Sequence, residues 1–364
     1  ADVNNPTAVN LPGGVTSFTS VFVEKYTTYA FGNNGTLYAW GFGTNGEIGD
    51  GNSFNRNTPT AVTLPGGVTS FTSVIPIQST TYVYGNNGSL YAFGHGIEGQ
   101  IGNGANLNVN VPTLVTLPFG VTSFTSVIQG RNSSMVLAIG NNNRLYAWGK
   151  GLDGEIGNGF SANANVPTQV TFPGGVTSWT SVQSVGQTNY GFGNNGVLYA
   201  WGNGANGQIG NGASLDVNTP TAVSLPGGVT SFTALYKGLT TAHVLGDDGN
   251  WYGFGLNTNG EVGDNTTTDR NVPTAVSFVG ITGLDSSFGI VHSYYNTVVV
   301  QGVFYASGEP CTTPTPTPTA TNTPTNTNTP TITNTPTITN TPTITNTPTI
   351  TSTPTQTLTP TATP

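Results

Sequence analysis

A glycine-rich run is the first segment of this sequence that could do chemistry. Residues 41–46, GFGTNG, match the GxGxxG pattern, which binds a pyrophosphate when it links a strand to a helix. No helical spacing of apolar residues follows the run, and similar glycine-rich runs return in later repeats. The run therefore predicts turns, and we expect no nucleotide or other cofactor.

Paired carboxylates recur in these glycine-rich runs. The pairs are Glu47 with Asp50, Asp153 with Glu155, and Glu261 with Asp264. Calcium takes about six to eight oxygen ligands, and glutamine replaces the acid at Gln100 and Gln208. The histidines, His95, His243 and His292, share no spacing that would bring them together at a metal or in a catalytic triad. The sequence therefore predicts turn structure at the acids, no metal site and no enzyme.

Four asparagines open Asn-x-Ser/Thr sequons and are candidate glycosylation sites: Asn34, Asn87, Asn132 and Asn265. Asn34 and Asn87 also precede a glycine, and Asn-Gly is the dipeptide that favours a tight hairpin turn. Turn structure therefore explains these two asparagines without a glycan.

The elements that would position these residues come from a repeat of the chain. Pro-Thr-x-Val occurs six times, at spacings of 53, 53, 55, 53 and 53 residues: Pro6, Pro59, Pro112, Pro167, Pro220 and Pro273. The block LPGGVTSFTSV at residues 11–21 and the block LYAWG at residues 37–41 recur with the same period. Their sixth copies, at 278–288 and 303–308, are divergent. An internal period of this length indicates a propeller or a solenoid.

Each unit reads as four short antiparallel strands. TSFTSV alternates polar and apolar residues, and an Asn-Gly turn separates two further strands at residues 27–32 and 36–40. Pro-Thr-x-Val is the fourth strand, after the glycine-rich loop. One aromatic position of the third strand recurs in five units and is expected to pack between blades: Trp40, Phe93, Trp148, Trp201 and Phe254. The predicted fold class is all-β, a six-bladed β-propeller of four-stranded blades.

The two ends of the array are complementary. The sixth unit stops at Gly308, before any fourth strand, and a fourth strand without a blade stands at Pro6, Thr7, Ala8 and Val9. This N-terminal strand is expected to complete the last blade, and that closure would remove two open sheet edges. We therefore predict a closed propeller at residues 1–308, a hinge at 309–312 and an extended, non-globular tail at 313–364.

The run YAWGFGTNGEIGDG at residues 38–51, followed by Pro-x-x-Val at 59–62, has four further copies. It resembles the repeat of the regulator of chromosome condensation 1 family, and the resemblance covers residues 1–308. The resemblance implies a β-propeller.

The family's eponymous member is a seven-bladed nucleotide-exchange factor on chromatin, and this chain has six units and neither a charged partner-binding surface nor a basic tail. Exchange activity is therefore not carried over. Secreted bacterial members that bind proteins through their loops, such as a β-lactamase inhibitor protein, are the nearer analogy.

Composition excludes several classes of function. Charged residues are 6% of the chain, against about 25% in a typical soluble domain, and no run of lysine or arginine occurs. Nucleic-acid binding and attraction to anionic lipids therefore have no support. No apolar run approaches the roughly 18 residues that span a membrane, so we expect no membrane insertion. The chain begins at Ala1 and has one cysteine, Cys311, and we interpret it as a mature secreted protein, extracellular or at the cell surface.

The C-terminal segment has threonine at every odd position from 313 to 363, and residues 330–350 repeat Pro-Thr-Ile-Thr-Asn-Thr every six residues. Such a composition cannot bury a core, and a disordered, O-glycosylated stalk is one interpretation. Isoleucines in a six-residue register favour another, in which the tail packs on neighbouring subunits, for example by strand addition: Ile332, Ile338, Ile344 and Ile350.

The favoured hypothesis is an extracellular structural protein, a filament or surface-appendage subunit that self-associates into a polymer through its tail, with Cys311 as a candidate cross-link. The alternative is a surface-displayed propeller that binds a protein or a glycan through its loops. A hydrolase with a site in the central channel has the least support. Long regular fibres in electron micrographs would favour the first hypothesis, and single particles the second.

Overall fold

A computed structural model of the chain describes residue 5 and residues 7–128, 134–277, 289–292 and 297–300. These residues form β-strands, turns and loops and contain no helix. No segment with the length and hydropathy of a membrane-spanning helix is therefore present in the described ranges.

Strands group into consecutive sheets along the chain. Sheet I contains β1 (Phe18–Glu24), β2 (Thr27–Gly32), β3 (Leu37–Gly41) and β4 (Arg56–Ala61). Sheet II contains β5 (Phe71–Ile77), β6 (Thr80–Gly85), β7 (Leu90–Gly94) and β8 (Val109–Leu114). Sheet III contains β9 (Phe124–Ile128), β10 (Met135–Gly140), β11 (Leu145–Gly149) and β12 (Ala164–Gln169). Sheet IV contains β13 (Trp179–Val185), β14 (Thr188–Gly193), β15 (Leu198–Gly202) and β16 (Val217–Ala222). Sheet V contains β17 (Phe232–Lys237), β18 (Thr241–Gly246), β19 (Trp251–Gly255) and β20 (Arg270–Ala275). A two-stranded sheet follows, with β21 (Gly289–His292) and β22 (Thr297–Val300).

Within sheets I to V the strands lie in chain order, and each neighbouring pair is antiparallel, for example β1 with β2 and β2 with β3. The predicted four-stranded antiparallel unit is therefore confirmed. The number of complete units differs from the prediction, because the described residues contain five such sheets where the sequence predicted six. At the sixth position only β21 and β22 are described, and β21 lies beside β17.

The predicted ring closure stays a prediction. Thr7, Ala8 and Val9 are exposed and lie in no strand, and Pro6 lies outside the described residues. Residues 303–308, the predicted third strand of the sixth unit, also lie outside them, as do the hinge and the tail. The predicted domain boundaries after residue 300 are therefore untested.

Each sheet packs its apolar face on the next sheet. Between sheets I and II the core contains Tyr29 and Ile48 from one side and Phe71, Val74 and Phe93 from the other, all buried. The recurring aromatic of the third strand lies at this junction: Phe93, Trp148, Trp201 and Phe254 are each 0% exposed. The tryptophans also donate a hydrogen bond to the preceding loop, from Trp148 Nε1 to the Gln100 carbonyl at 2.8 Å and from Trp201 Nε1 to the Glu155 carbonyl at 3.0 Å. As predicted, these aromatics pack between sheets.

A pair of hydrogen bonds, called here the loop clamp, joins each glycine-rich loop to the fourth strand of the next sheet. The Gly51 N–H donates to the Asn110 carbonyl at 2.9 Å, and Asn110 Nδ2 donates to the Gly51 carbonyl at 2.9 Å. The same two bonds recur at three further junctions: Gly104 with Asn165, Gly159 with Asn218, and Gly212 with Asn271. Four loop clamps therefore tie the five sheets into one ordered row.

At the start of this row, sheet I has a face on which no described strand packs. On sheet I, Val21 is 56% exposed, whereas Val74 at the equivalent position of sheet II is 4% exposed. Trp40 is half-buried, whereas the four equivalent aromatics of the later sheets are fully buried. At the other end, the loop of sheet V holds Asn265 at the clamp position, with a φ of 64° that resembles the φ of 87° at Gly51.

Candidate interaction surface

Two kinds of connection share one end of every sheet. The turns between first and second strands lie beside the glycine-rich loops between third and fourth strands, and the Phe42 N–H donates to the Tyr26 carbonyl at 2.9 Å. The loops cover residues 42–55, 95–108, 150–163, 203–216 and 256–269. Since the sheets stack in register, these loops share one side of the molecule, which we call the loop end.

GFGTNG at residues 41–46 forms the start of such a loop, and turns follow it. The glycines permit close approach: a Cβ on Gly46 would lie 2.5 Å from the Val109 carbonyl oxygen of the next sheet. The pattern therefore builds the junction between sheets, in agreement with the turn structure that the sequence predicted.

The paired acids hold their own loops in shape. Glu47 accepts bonds from the main-chain N–H and the side-chain Nδ2 of Asn45, at 2.9 and 2.8 Å. Asp50 pairs with Arg56, and Asp264 accepts from Arg270 Nε at 2.5 Å. In the described part of the chain no three His, Cys, Asp or Glu residues lie close enough together to hold a metal ion.

The loop of sheet III contains a charge cluster in which Glu155 is buried and Lys150 and Asp153 are partly exposed. Lys150 Nζ lies 2.9 Å from Asp153 and 3.2 Å from Glu155, whose side chain is 1% exposed. Burial raises the pKa of the Glu155 carboxyl, against the opposing effects of backbone hydrogen bonds and the Lys150 charge. Gln100 and Gln208 occupy the equivalent position of sheets II and IV and are also buried, so this position has a structural role in the loop.

His95 and His243 belong to different sheets and do not converge. His95 lies in the loop of sheet II, with Nδ1 3.1 Å from Gln100 Nε2. His243 is fully buried in sheet V, with Nε2 3.3 Å from the Val262 carbonyl. The side chain of His292 lies outside what the structure describes.

A surface pocket of about 360 Å³ lies at the loop end of sheets I to III. Its lining combines two aromatic rings, Tyr26 and Phe42, with polar groups that include Asn45, Gln78 and His95. The Tyr26 side chain is 69% exposed, and its ring contacts Phe42 edge-on at 6.3 Å between centroids. The pocket offers an aromatic face, neutral hydrogen-bonding groups and one cation, Lys25, whose Nζ lies 5.5 Å from the centre of the Tyr26 ring.

Large apolar side chains also stand exposed on four consecutive loops of the loop end. The loop of sheet I exposes Phe54 (66%), and that of sheet II exposes Ile97 (57%) and Leu107 (67%). The loop of sheet III exposes Leu152 (59%) and Phe160 (68%), and that of sheet IV exposes Leu215 (69%). We call these six side chains the apolar band. Sequence reasoning missed them, although apolar residues inside polar glycine-rich loops were the available signal.

The predicted glycosylation sites divide by position. Asn34 and Asn87 lie in exposed turns, but their Nδ2 groups donate to Tyr38 and Tyr91 hydroxyls at 3.0 and 2.9 Å, and these contacts explain the asparagines. Asn265 is exposed in the loop of sheet V. Asn132, Cys311 and the tail isoleucines lie outside the described residues, so those predictions stay untested.

The Regulator of chromosome condensation (RCC1) repeat matches this chain at four stretches: residues 34–75, 87–137, 142–187 and 195–235. The E3 ubiquitin-protein ligase HERC2 of Homo sapiens is 25% identical over 277 residues, 74% of this chain and 6% of that protein. The Ultraviolet-B receptor UVR8 of Arabidopsis thaliana is 32% identical over 202 residues, 54% of this chain and 43% of that protein. The chain thus spans less than half the length of these relatives.

Solved structures show the same architecture. Prp20p from Saccharomyces cerevisiae superimposes with a TM-score of 0.53 at 19% identity, covering 75% of this chain and 65% of that one. Human WBSCR16 gives a TM-score of 0.52 at 20% identity, covering 71% and 66%. Likeness at this identity shows the fold alone. Matching repeats, matching structures and an ordered row of four-stranded antiparallel sheets together show that the chain is an RCC1-repeat β-propeller protein.

Proposed function

We propose that this protein is a non-enzymatic, extracellular structural protein that polymerises into a filament or surface appendage, with its propeller as the body and its tail as the connector between subunits. The observation that carries the proposal is the six-residue register of four isoleucines in an uncharged tail: Ile332, Ile338, Ile344 and Ile350. A pure spacer has no need of regularly placed isoleucine, because apolar side chains gain free energy only where a partner removes them from water.

We also propose that the propeller closes as a ring of six blades. The exposed face of sheet I and the clamp position at Asn265 support closure, because each lacks a neighbour among the described strands. Asn4 stands two residues before Pro6, as Asn110 stands two residues before Pro112. The N-terminal strand would therefore supply a fifth loop clamp, between Asn4 and Asn265, as it completes the sixth blade.

The filament proposal is tested with the full-length chain and a variant in which the four tail isoleucines are replaced by threonine. We expect the wild-type protein to form regular fibres in negative-stain electron micrographs and the variant to remain as single particles. Circular dichroism should show the same β-structure in both, because the substitutions lie outside the propeller. Fibres formed equally by the variant would contradict the proposal.

A second candidate function is supported by the pocket at the loop end. The exposed ring of Tyr26 beside Asn45 and His95 is suited to a neutral, polyhydroxylated ligand such as a glycan, since the ring can stack on a sugar face. A propeller displayed on a stalk would then bind glycans as a monomer. Glycan-array binding lost in Tyr26→Ala, together with single particles at all concentrations, would favour this function over the first.

A further inference from the structure

We propose that the tail of one subunit binds the apolar band of a neighbouring subunit's propeller, with one isoleucine of the tail at each of the first four loops. The inference rests on the proposed function, and it names the surface that receives the tail.

The apolar band has no part in the fold of its own loops. Phe54, Leu107 and Leu215 occupy one equivalent position and are 66–69% exposed, so their side chains contribute little to the core. Ala162 and Thr268 hold the same position in sheets III and V, so the loop forms without a large apolar residue there. Six large, exposed apolar side chains on one side of a monomer indicate an interaction surface.

The number of loops matches the number of isoleucines. Four consecutive loops expose a large apolar side chain, and the fifth has threonine at the three positions concerned: Thr258, Thr266 and Thr268. The tail has four isoleucines in strict register and then leaves it, with Leu358 as its next large apolar residue.

The spacings also agree. In a ring of six equal blades, equivalent points on neighbouring blades are as far apart as each lies from the axis. Packed sheets lie about 10 Å apart, so the first strands lie about 10 Å from the axis. The glycine-rich loops follow the third strand, two strand spacings of about 4.8 Å further out, and therefore lie on the order of 20 Å from the axis. Six extended residues span about 19–20 Å. An extended tail that follows the loop end would therefore bring each isoleucine to the next blade.

The charges of the two surfaces are compatible. Residues 313–364 contain no charged side chain. In the loops, Asp50 is paired with Arg56, Glu155 with Lys150, and Glu47 accepts bonds from Asn45. A neutral tail can therefore cover the apolar band without leaving these carboxylates unpaired, and its threonines supply hydroxyls to the polar groups between the apolar residues.

Photo-cross-linking of the full-length protein tests the contact directly. A photoreactive phenylalanine analogue replaces Ile338, and equal amounts of ¹⁴N- and ¹⁵N-labelled chains are assembled and irradiated. We expect mass spectrometry to find cross-links between labelled and unlabelled chains that map to residues 42–55, 95–108, 150–163 or 203–216. Cross-links within one chain only, or to surfaces other than the loop end, would overturn the inference.

A matched pair of triple variants tests the apolar band itself. Phe54→Ser, Leu107→Ser and Leu215→Ser together should raise the critical concentration for assembly at least about tenfold, measured by sedimentation. The control replaces three equivalent, exposed leucines at the opposite end of the sheets with serine, and it should assemble like the wild type: Leu64, Leu117 and Leu225.

The outcomes separate this inference from the proposed function. If the isoleucine-to-threonine tail variant assembles normally, the proposed function fails. If assembly requires the isoleucines but is unchanged in the Phe54, Leu107 and Leu215 variant, only the docking surface is wrong. Matching circular dichroism spectra of the two triple variants would show that lost assembly reflects lost binding.

Discussion

At the residue scale, the acidic side chains of the loops have structural roles, although their pairing in the sequence resembles that of catalytic or metal-binding carboxylates. Asp50 and Asp264 pair with the arginine that begins the fourth strand of the same sheet, Glu155 pairs with Lys150 of its own loop, and Glu47 accepts hydrogen bonds from Asn45. The sequence predicted turn structure at these acids, because too few carboxylates come together to bind calcium. It could not predict the ion pair of Lys150 with Glu155, since the separation of the two charges depends on how the loop folds.

The Lys150–Glu155 pair predicts a double-mutant result. Lys150→Asn alone leaves a buried carboxylate without its cation and should lower the free energy of unfolding by about 2–3 kcal/mol at pH 7. Adding Glu155→Gln recreates the pair found in sheet IV, where Gln208 Nε2 donates to Asn203 Oδ1 at 3.1 Å, and should restore stability to within about 1 kcal/mol. Urea unfolding measures both values.

The pH dependence of the free energy of unfolding has a defined sign. Burial raises the pKa of Glu155, so the folded state binds this proton more tightly than the unfolded state. Stability should therefore fall as pH rises from the unfolded pKa of about 4.3 through the raised folded pKa, and more steeply in Lys150→Asn. The double variant, which has no carboxyl at position 155, should lack this slope. Equal slopes in both variants would contradict the assignment.

At the scale of elements, the junction between two sheets depends on glycines that admit an aromatic ring. Gly157 has a φ of 74°, and a Cβ there would lie 2.7 Å from Trp201 Nε1 of the next sheet. Trp201 is fully buried and bonded to the Glu155 carbonyl, so it cannot move away without loss of packing.

Gly157→Ala should therefore lower the free energy of unfolding by about 2–3 kcal/mol, through the left-handed backbone and the clash with Trp201. Gly175→Ala is the matched control, because Gly175 has a φ of 79° and a Cβ there meets nothing within 4 Å. The control should lower the free energy of unfolding by only about 1 kcal/mol in the same assay, the cost of the left-handed backbone alone. Equal effects of the two substitutions would show that the ring contact contributes nothing.

At the scale of the whole molecule, the stability of the propeller depends on whether the row of sheets closes. Four loop clamps join the five four-stranded sheets. In the clamp at Asn218, the side-chain Nδ2 donates a hydrogen bond to the Gly159 carbonyl at 3.0 Å. The proposed ring adds a loop clamp at Asn4. It adds none at Asn57, because the partner of Asn57 would be the glycine-rich loop of the sixth unit, and no such loop follows Gly308 in the sequence.

Three alanine substitutions test closure. Asn218→Ala should lower the free energy of unfolding by about 1–2 kcal/mol, and Asn4→Ala should have a similar effect if it forms the fifth clamp. Asn57→Ala should change stability by less than about 0.5 kcal/mol. Thermal unfolding under one set of conditions compares all three, and an Asn4→Ala variant as stable as Asn57→Ala would disprove closure through this contact.

The sequence by itself determined the local structure of this protein. Asn34 and Gly35 specify a hairpin turn, and alternating apolar residues specify the strands on either side, because turns and strands depend on residues close in the chain. The recurring aromatic position, which includes Phe93, was predicted to pack between blades, but only the tertiary structure decided that large apolar side chains of the loops lie at the surface. Phe93 and Leu107 both belong to the second repeat, yet one is 0% and the other 67% exposed. The physical reason is that burial depends on the neighbouring sheet, which lies some 50 residues away along the chain and meets the third strand but not the tip of its loop.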